Sequence, residues 1–348
     1  MSYYEKAVET LDGVRNKEGL TILAIESSCD ETAVAITVDR NVVADIISSQ
    51  IDIHKRFGGV VPEIASRKHT EAIDNIVQEA LDKASITLED VDVIAVTYGA
   101  GLLGALLVGV TYAKALAYSL GKPLIAVNHV RGHIEANKIV HKELRASFIS
   151  LLCSGGHTEI ACVDEDGERV LGKTRDDAVG EAFDKVARVI GLSYPGGPEI
   201  EKAAREGKGE IPFTKPLKAE DGYDFSYSGL KTQVINYVRN REARREEIDK
   251  NDVAASFQKV AVGMLVDNTI KACLNEGVHT LSAGGGVCAN GYLREELKKA
   301  CDEHGITLYL PEKRFCTDNA VMIAAKAYSM IREGCEPAGL DLDAEPNL

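Results

Sequence analysis

The chain has 348 residues, 45% of them hydrophobic and 27% charged, which excludes disordered and fibrous classes. Such a length suits about two domains, each able to bury its own core. A formal charge of −14 argues against broad, nonspecific nucleic-acid binding, although a local basic patch or a partner protein could still supply it.

Residues 1–19 carry acidic groups and no apolar h-region, so no secretory signal is read there and a cytoplasmic location is expected. This extension reads as a surface helix without an assigned role. Residues 21–48 read as three strands, broken by a polar turn from Ser27 to Glu31 and another from Asp39 to Asn41. A helix with apolar Ile64, Ala65, Ile73, Ile76, Val77, Ala80 and Leu81 follows, then the buried strand "VDVIAVTY". The apolar run at 101–121 contains Lys114 and several glycines, so it reads as a core helix, and no membrane span or membrane partner is expected. The strand "PLIAV" closes this half.

Next comes "NHVRGHIEAN" at 128–137, with His129 and His133 four residues apart. On a helix that spacing sets both imidazoles on one face, within reach of a single cation. The alternative is a pair that is solvated or satisfied by backbone groups. A zinc peptidase would need H-E-x-x-H, and Val130 occupies the position of its glutamate. A third ligand is offered by Asp318 in "RFCTDNAVMIAAK", read as the N-cap of the last helix and facing a cleft. Two imidazoles and one carboxylate with open positions suit one divalent metal ion, Fe(II) or Zn(II).

Residues 147–174 repeat the three-strand plan, with turns at 154–157 and 164–167. The helix "DDAVGEAFDKVARVIG" leads into an irregular Gly/Pro-rich insertion at about 193–250. A helix bearing Phe257, Val260, Ala261, Met264 and Leu265 follows, then "VHTLSAGGG", another helix, "ITLYLP" and a last helix near 318–332. Both halves therefore read as three strands followed by alternating helices and strands, an α/β class with mixed sheets covered by helices. The expected borders are 20–145 for a first lobe, 146–318 for a second, and 319–348 packing back on the first. By analogy of plan, this is a duplicated fold of the actin-like and sugar-kinase-like (ASKHA) kind, two RNase-H-like lobes with a nucleotide held between them.

Three glycine turns could meet a phosphate: "CSGGHT" at 153–158, "YPGGPEIE" at 194–201 and "SAGGGVCANG" at 282–291. Each alone also reads as an ordinary turn. Neither a Walker-type loop nor G-x-G-x-x-G is present. The eight cysteines never form C-x-x-C and read as reduced thiols. The run "RNREARRE" at 239–246 could meet nucleic acid, but its interleaved glutamates favour a solvated helix face.

Taken together, "IESSCDETAVAI", "GGVVPEIASRKH", "HVRGHIEAN", "LLCSGGHT", "DDAVGEAFDKVA", "YPGGP", "DFSYSGLKT", "GGGVCAN" and "CTDNAVMIA" resemble the tRNA threonylcarbamoyladenosine synthase family, TsaD in bacteria, from about residue 20 to 333. The resemblance implies an actin-like two-domain fold. It also implies transfer of the threonylcarbamoyl group from threonylcarbamoyl-AMP to the exocyclic amine of the adenosine beside the anticodon, in tRNAs reading codons that begin with A. The family's metal ligands match His129, His133 and Asp318. Its substrate-binding run matches Leu152, Cys153, Ser154, Gly155 and Gly156, and further nucleotide contacts match Asp184, Gly197, Glu201 and Asn290. Cys153 and Glu201 stand where related sequences often have Val and Asp. For the base that takes the amine proton, Asp30 is favoured over Glu31; both could instead only cap their turn. The resemblance further implies tRNA, a TsaB-like inactive paralogue, a TsaE-like ATPase and an upstream threonylcarbamoyl-AMP synthase as partners, and threonylcarbamoyl-AMP or ATP/ADP as bound nucleotide. Two other classes compete with it: a small-molecule kinase of the same fold, and a noncatalytic nucleotide-binding regulator.

Overall fold

The computed structural model describes residues 2–144, 147–165, 167–217 and 222–348. Two compact units appear, one of Met1–Lys142 with Asp318–Leu348 and one of Glu143–Thr317.

The first unit opens with α1 (Tyr3–Val14), capped by Ser2 and Glu5 in a reciprocal box. Ala7 and Leu11, one turn apart, are buried, and the Tyr3 hydroxyl donates to the Lys122 carbonyl. Arg15 donates to the carbonyls of Ile331 and Cys335, so the N-terminal segment is tied into this unit. An antiparallel meander follows: β1 (Thr21–Glu26), β2 (Glu31–Val38) and β3 (Asn41–Ser49). After the short α2 (Ile51–His54) come α3 (Pro62–Ala84), β4 (Val93–Gly99), α4 (Leu103–Leu120), β5 (Leu124–Asn128), α5 (His129–Glu135) and α6 (Asn137–Val140). The sheet order is β3-β2-β1-β4-β5, with β4 parallel to β1 and to β5. Leu23 and Ile25 of β1 pack with Ile73, Val77 and Ala80 of α3 and Val110 and Ala113 of α4. The alternate residues Ile22 and Ala24 are equally buried, so both faces of β1 are covered. By length and composition α4 could cross a membrane, yet its Ala105, Leu106, Val110, Ala113 and Ala117 are buried, and it packs against β4 and α3.

The second unit repeats the plan. A meander of β6 (Phe148–Cys153), β7 (Thr158–Asp164) and β8 (Gly167–Lys173) is followed by α7 (Val179–Val189), α8 (Gly196–Ala204), α9 (Ser228–Ala243), α10 (Lys250–Glu276), β9 (Thr280–Gly284), α11 (Gly291–His304) and β10 (Thr307–Tyr309). Its sheet order, β10-β9-β6-β7-β8, matches that of the first unit strand for strand, including which pairs are parallel. Phe183 of α7 meets Phe257 of α10 edge to face at 5.0 Å inside its core. The turn expected at 164–167 includes residue 166, which lies outside the described residues.

Two expectations need correction. The 193–250 insertion is not simply irregular: it holds α8, which buries Ile200 and Ala203, and α9, which buries Leu230, Val234 and Val238. Its residues 218–221 lie outside the described ones. Asp318, expected at the end of the second lobe, groups with the first unit. Asn319 separates it from α12 (Ala320–Glu333), which packs on α5, β1, β2 and β5.

Candidate metal centre and nucleotide pocket

In the first unit, β5 passes straight into α5, and the Asn128 side chain caps the helix by accepting from the Arg131 N–H at 3.1 Å. His129 therefore occupies the first turn and His133 the next, on one face. Between them, Gly132 allows close approach to α12: a Cβ there would stand 3.0 Å from Ile323 Cδ1 and 3.3 Å from Met322 Cγ.

Asp318 is not the N-cap of α12. Asn319 is, with its side chain accepting from the Met322 N–H at 3.0 Å, which leaves the neighbouring carboxylate free to turn toward the imidazoles. Asp318 Oδ1 lies 3.2 Å from His133 Nε2 and 3.4 Å from His129 Nε2. One ligand atom from each of the three residues falls within 4.8 Å of the others. Both histidines are buried and their rings meet edge to face. Burial would push the Asp318 carboxyl up, but the imidazoles of His129 and His133 hold it well below the usual carboxylate range.

Behind His129 stands Glu26, the fully buried last residue of β1. Its Oε2 lies 3.0 Å from His129 Nδ1 and accepts from Thr97 Oγ1 at 2.5 Å; its Oε1 accepts from the Ser28 N–H at 2.5 Å. Backbone and hydroxyl donors surround an acceptor, so this carboxylate is ionised and Nδ1 of the imidazole carries a proton toward it. Nε2 is thereby left to face Asp318. Against the cost of burial, the charges of Glu26 and Asp318 push His129 well above an ordinary histidine, and His129 in turn lowers Glu26. A buried donor set of two imidazole Nε2 atoms and one carboxylate, with one imidazole backed by a second carboxylate, fits a divalent cation of the zinc or iron type.

Asp30 and Glu31, the proposed proton acceptors, lie at the β1–β2 turn. Asp30 is buried. Glu31 accepts from Ser49 Oγ at 3.0 Å and is pushed up to about 9 by burial and by the nearby charges of Asp318 and Asp30. The turn and the imidazole pair thus belong to one electrostatic cluster. Glu135 is buried and bonded to Ser329 Oγ and Lys138 Nζ. His54 and His69 are structural: His69 bridges Thr32 Oγ1 and the Cys29 carbonyl, and His54 accepts the Val61 N–H.

The second unit brings the remaining candidates into two groups. Leu152 and Cys153 are buried at the end of β6, so they offer only backbone to a ligand. Ser154 turns the chain by accepting the His157 N–H, while Gly155 and Gly156 are exposed with open space around both. Two neighbours press on this turn: a Cβ on Gly180 would come 2.6 Å from Ser154 O, and one on Gly285 2.4 Å from Cys153 O. Cys153 Sγ lies 3.3 Å from Cys288 Sγ, and all eight cysteines are free thiols. Asp184 Oδ1 accepts the Gly196 N–H at 2.6 Å and so fixes the turn that carries Gly197 in the open.

Glu201 Oε1 accepts from the Gly291 N–H at 3.2 Å and from Arg205 at 2.8 Å. Asn290 is buried, caps α11 through the Leu293 N–H, and donates from Nδ2 to Gln258 Oε1 at 2.9 Å. Beside them opens a cavity of about 370 Å³, lined among others by Glu201, Arg205, Lys208, Gln258 and Tyr292. That volume is in the range of small-molecule sites. Sequence reasoning missed Glu26 and Gln258. A signal existed for the second: a polar side chain interrupts the buried face of α10 next to Phe257.

The profile of a family described as TsaD, tRNA N6-adenosine threonylcarbamoyltransferase, matches residues 41–325. A protein of that description from Clostridium botulinum is 56% identical over 335 residues, covering 95% of this chain and 98% of its own. One from Clostridium perfringens is 54% identical over 330 residues, covering 94% and 97%. Among solved structures, full-length HypF in a phosphate- and nucleotide-bound form superposes with a TM-score of 0.65 at 17% identity, covering 93% of this chain and 48% of that one. Component A of the Acidaminococcus fermentans (R)-2-hydroxyglutaryl-CoA dehydratase gives 0.54 at 13%, covering 90% and 99%. Those two likenesses bear on the fold alone, the duplicated actin-like one, and at these identities and coverages the chain belongs to the tRNA N6-adenosine threonylcarbamoyltransferase family.

Proposed function

We infer that this chain transfers the threonylcarbamoyl group from threonylcarbamoyl-AMP to N6 of the adenosine beside the anticodon, in tRNAs reading codons that begin with A. The observation that carries this reading is the convergence of His129, His133 and Asp318, backed by Glu26, in a member of that family. These three residues would hold one divalent ion, Fe(II) or Zn(II), which supplies Lewis-acid polarisation of an oxygen on the acyl donor. Asp30 takes the proton that N6 loses as its bond to the carbamoyl carbon forms and the bond from that carbon to the AMP phosphate oxygen breaks. In the second unit, the exposed amides of Gly155 and Gly156, the Asp184-braced Gly197 turn, Glu201 and Asn290 hold the AMP half, with Leu152, Cys153 and Ser154 shaping the strand end beneath. ATP or ADP would occupy the same loops. The location is cytoplasmic, with a TsaB-like paralogue, a TsaE-like ATPase and an upstream threonylcarbamoyl-AMP synthase as partners.

The test combines mass analysis of tRNA nucleosides from depleted cells with metal analysis of protein purified without oxygen. Depletion should remove threonylcarbamoyladenosine, and the wild-type chain should carry about one metal ion that His129→Ala loses. Intact threonylcarbamoyladenosine after depletion would discard the reading.

A further inference from the structure

The geometry points to Gln258 as a residue that reads the nucleotide base, an assignment that rests on the nucleotide reading of the second unit. Gln258 is 6% exposed, and the little surface it keeps faces the cavity that Glu201 and Tyr292 also line. A buried amide can present either its oxygen or its nitrogen, and here a relay decides which. The Leu293 N–H donates to Asn290 Oδ1 at 2.9 Å, so Asn290 must turn its Nδ2 the other way. That Nδ2 donates to Gln258 Oε1 at 2.9 Å, so Gln258 must turn its own Nε2 toward the cavity. A backbone N–H can only donate, and the polarity of both amides follows from it. Among the described residues, Gln258 Nε2 has no partner. It is not among the buried unsatisfied atoms, so water meets this donor until a ligand accepts from it.

The partner of that donor is a ring nitrogen of the base. Glu201 and Gln258 are held by consecutive residues: Gly291 donates its N–H to Glu201, and Asn290 its amide to Gln258. The first presents a carboxylate, an acceptor suited to hydroxyl donors such as those of a ribose. The second presents only N–H. A nucleoside offers both complements a short distance apart, hydroxyls on the sugar and unprotonated nitrogens in the ring.

Binding of AMP and of its 1-deaza, 3-deaza and 7-deaza analogues to the full-length chain, by calorimetry, tests this. For the wild type, one analogue should bind about tenfold more weakly than AMP, because its ring CH cannot accept. In Gln258→Met, AMP should weaken to the level of that analogue and the difference between them vanish. Asn290→Asp keeps an acceptor for the Leu293 N–H but offers Gln258 no donor, so the amide inverts and aims its oxygen at the base. AMP should then weaken more than the same analogue does, so that the difference between them vanishes or reverses. Analogue penalties that persist unchanged in Gln258→Met, or a wild type indifferent to all three analogues, would overturn the assignment while AMP binding itself upheld the nucleotide pocket. A wild-type chain that binds no AMP would remove the nucleotide reading and this assignment with it.

Discussion

At the scale of single residues, the centre depends on which nitrogen of His129 carries a proton. Glu26 fixes this because every group touching its carboxylate is a donor or, for the imidazole, is made one. Glu26→Gln keeps the shape but brings an NH₂ group against donors, so either the Ser28 N–H loses its acceptor or Thr97 and His129 both lose theirs. We expect metal affinity to fall 10- to 100-fold, the usual cost of removing such a supporting carboxylate. Competition with a chelator of known affinity measures it, and unchanged affinity would show that Glu26 is only a buried charge partner. The imidazole pair was legible in the sequence, since a spacing of four on a helix is a local property. Glu26 was not: as the last residue of an apolar strand it reads like a strand end in solvent, and only the folding of β4 and α5 over it encloses the carboxylate. Asp318 was legible as a neighbour of the imidazoles but misread as a cap. Asp and Asn stand side by side, both suited to capping, and only the backbone turn at Asn319 decides between them.

At the scale of elements, the repeated meander was plain because strand alternation and polar turns are written locally, whereas α9 was hidden in a segment read as irregular. The helix has no side-chain cap of its own. Its first turn is capped from a distance by Asp176, which accepts from the N–H groups of Tyr227 and Ser228 and from the hydroxyls of Ser226 and Ser228. No local pattern could announce a cap contributed from about fifty positions upstream in another loop. Partial burial would raise the Asp176 carboxyl, but the hydrogen bonds from Ser226, Ser228 and Tyr227 hold it below the usual aspartate range. Asp176→Ala should therefore cost about 1 kcal/mol near neutral pH, the usual worth of a cap. Because the folded pKa is the lower one, this contribution is full above the unfolded value of about 3.9 and disappears as pH falls through the folded value. Urea melts of both proteins at pH 7 and pH 3 measure it. A gap that stayed the same or widened in acid would mean that the carboxylate does not cap α9.

At the scale of the whole molecule, a charge of −14 meets a substrate that is itself a polyanion. Each phosphate neutralised on binding needs a Lys or Arg free to reach it, and steepens the dependence on salt. The most basic stretch, 239–246, is already partly committed: Arg241 pairs with Glu246 at 2.8 Å and lies over the Tyr237 ring, with Glu242 beside it. A chain of this charge should gain little of its tRNA affinity from phosphate contacts made alone, and a more basic partner surface should supply the rest. The slope of log K against log salt for tRNA and the isolated chain should therefore be no steeper than about −3, corresponding to roughly four phosphates at single-strand values. Replacing Arg239, Arg244 and Arg245 by Ser should leave that slope unchanged. A slope near −6 that flattens in the triple variant would instead make the surface of α9 the tRNA-binding face, and the acidic average of the chain would no longer describe where its substrate lands.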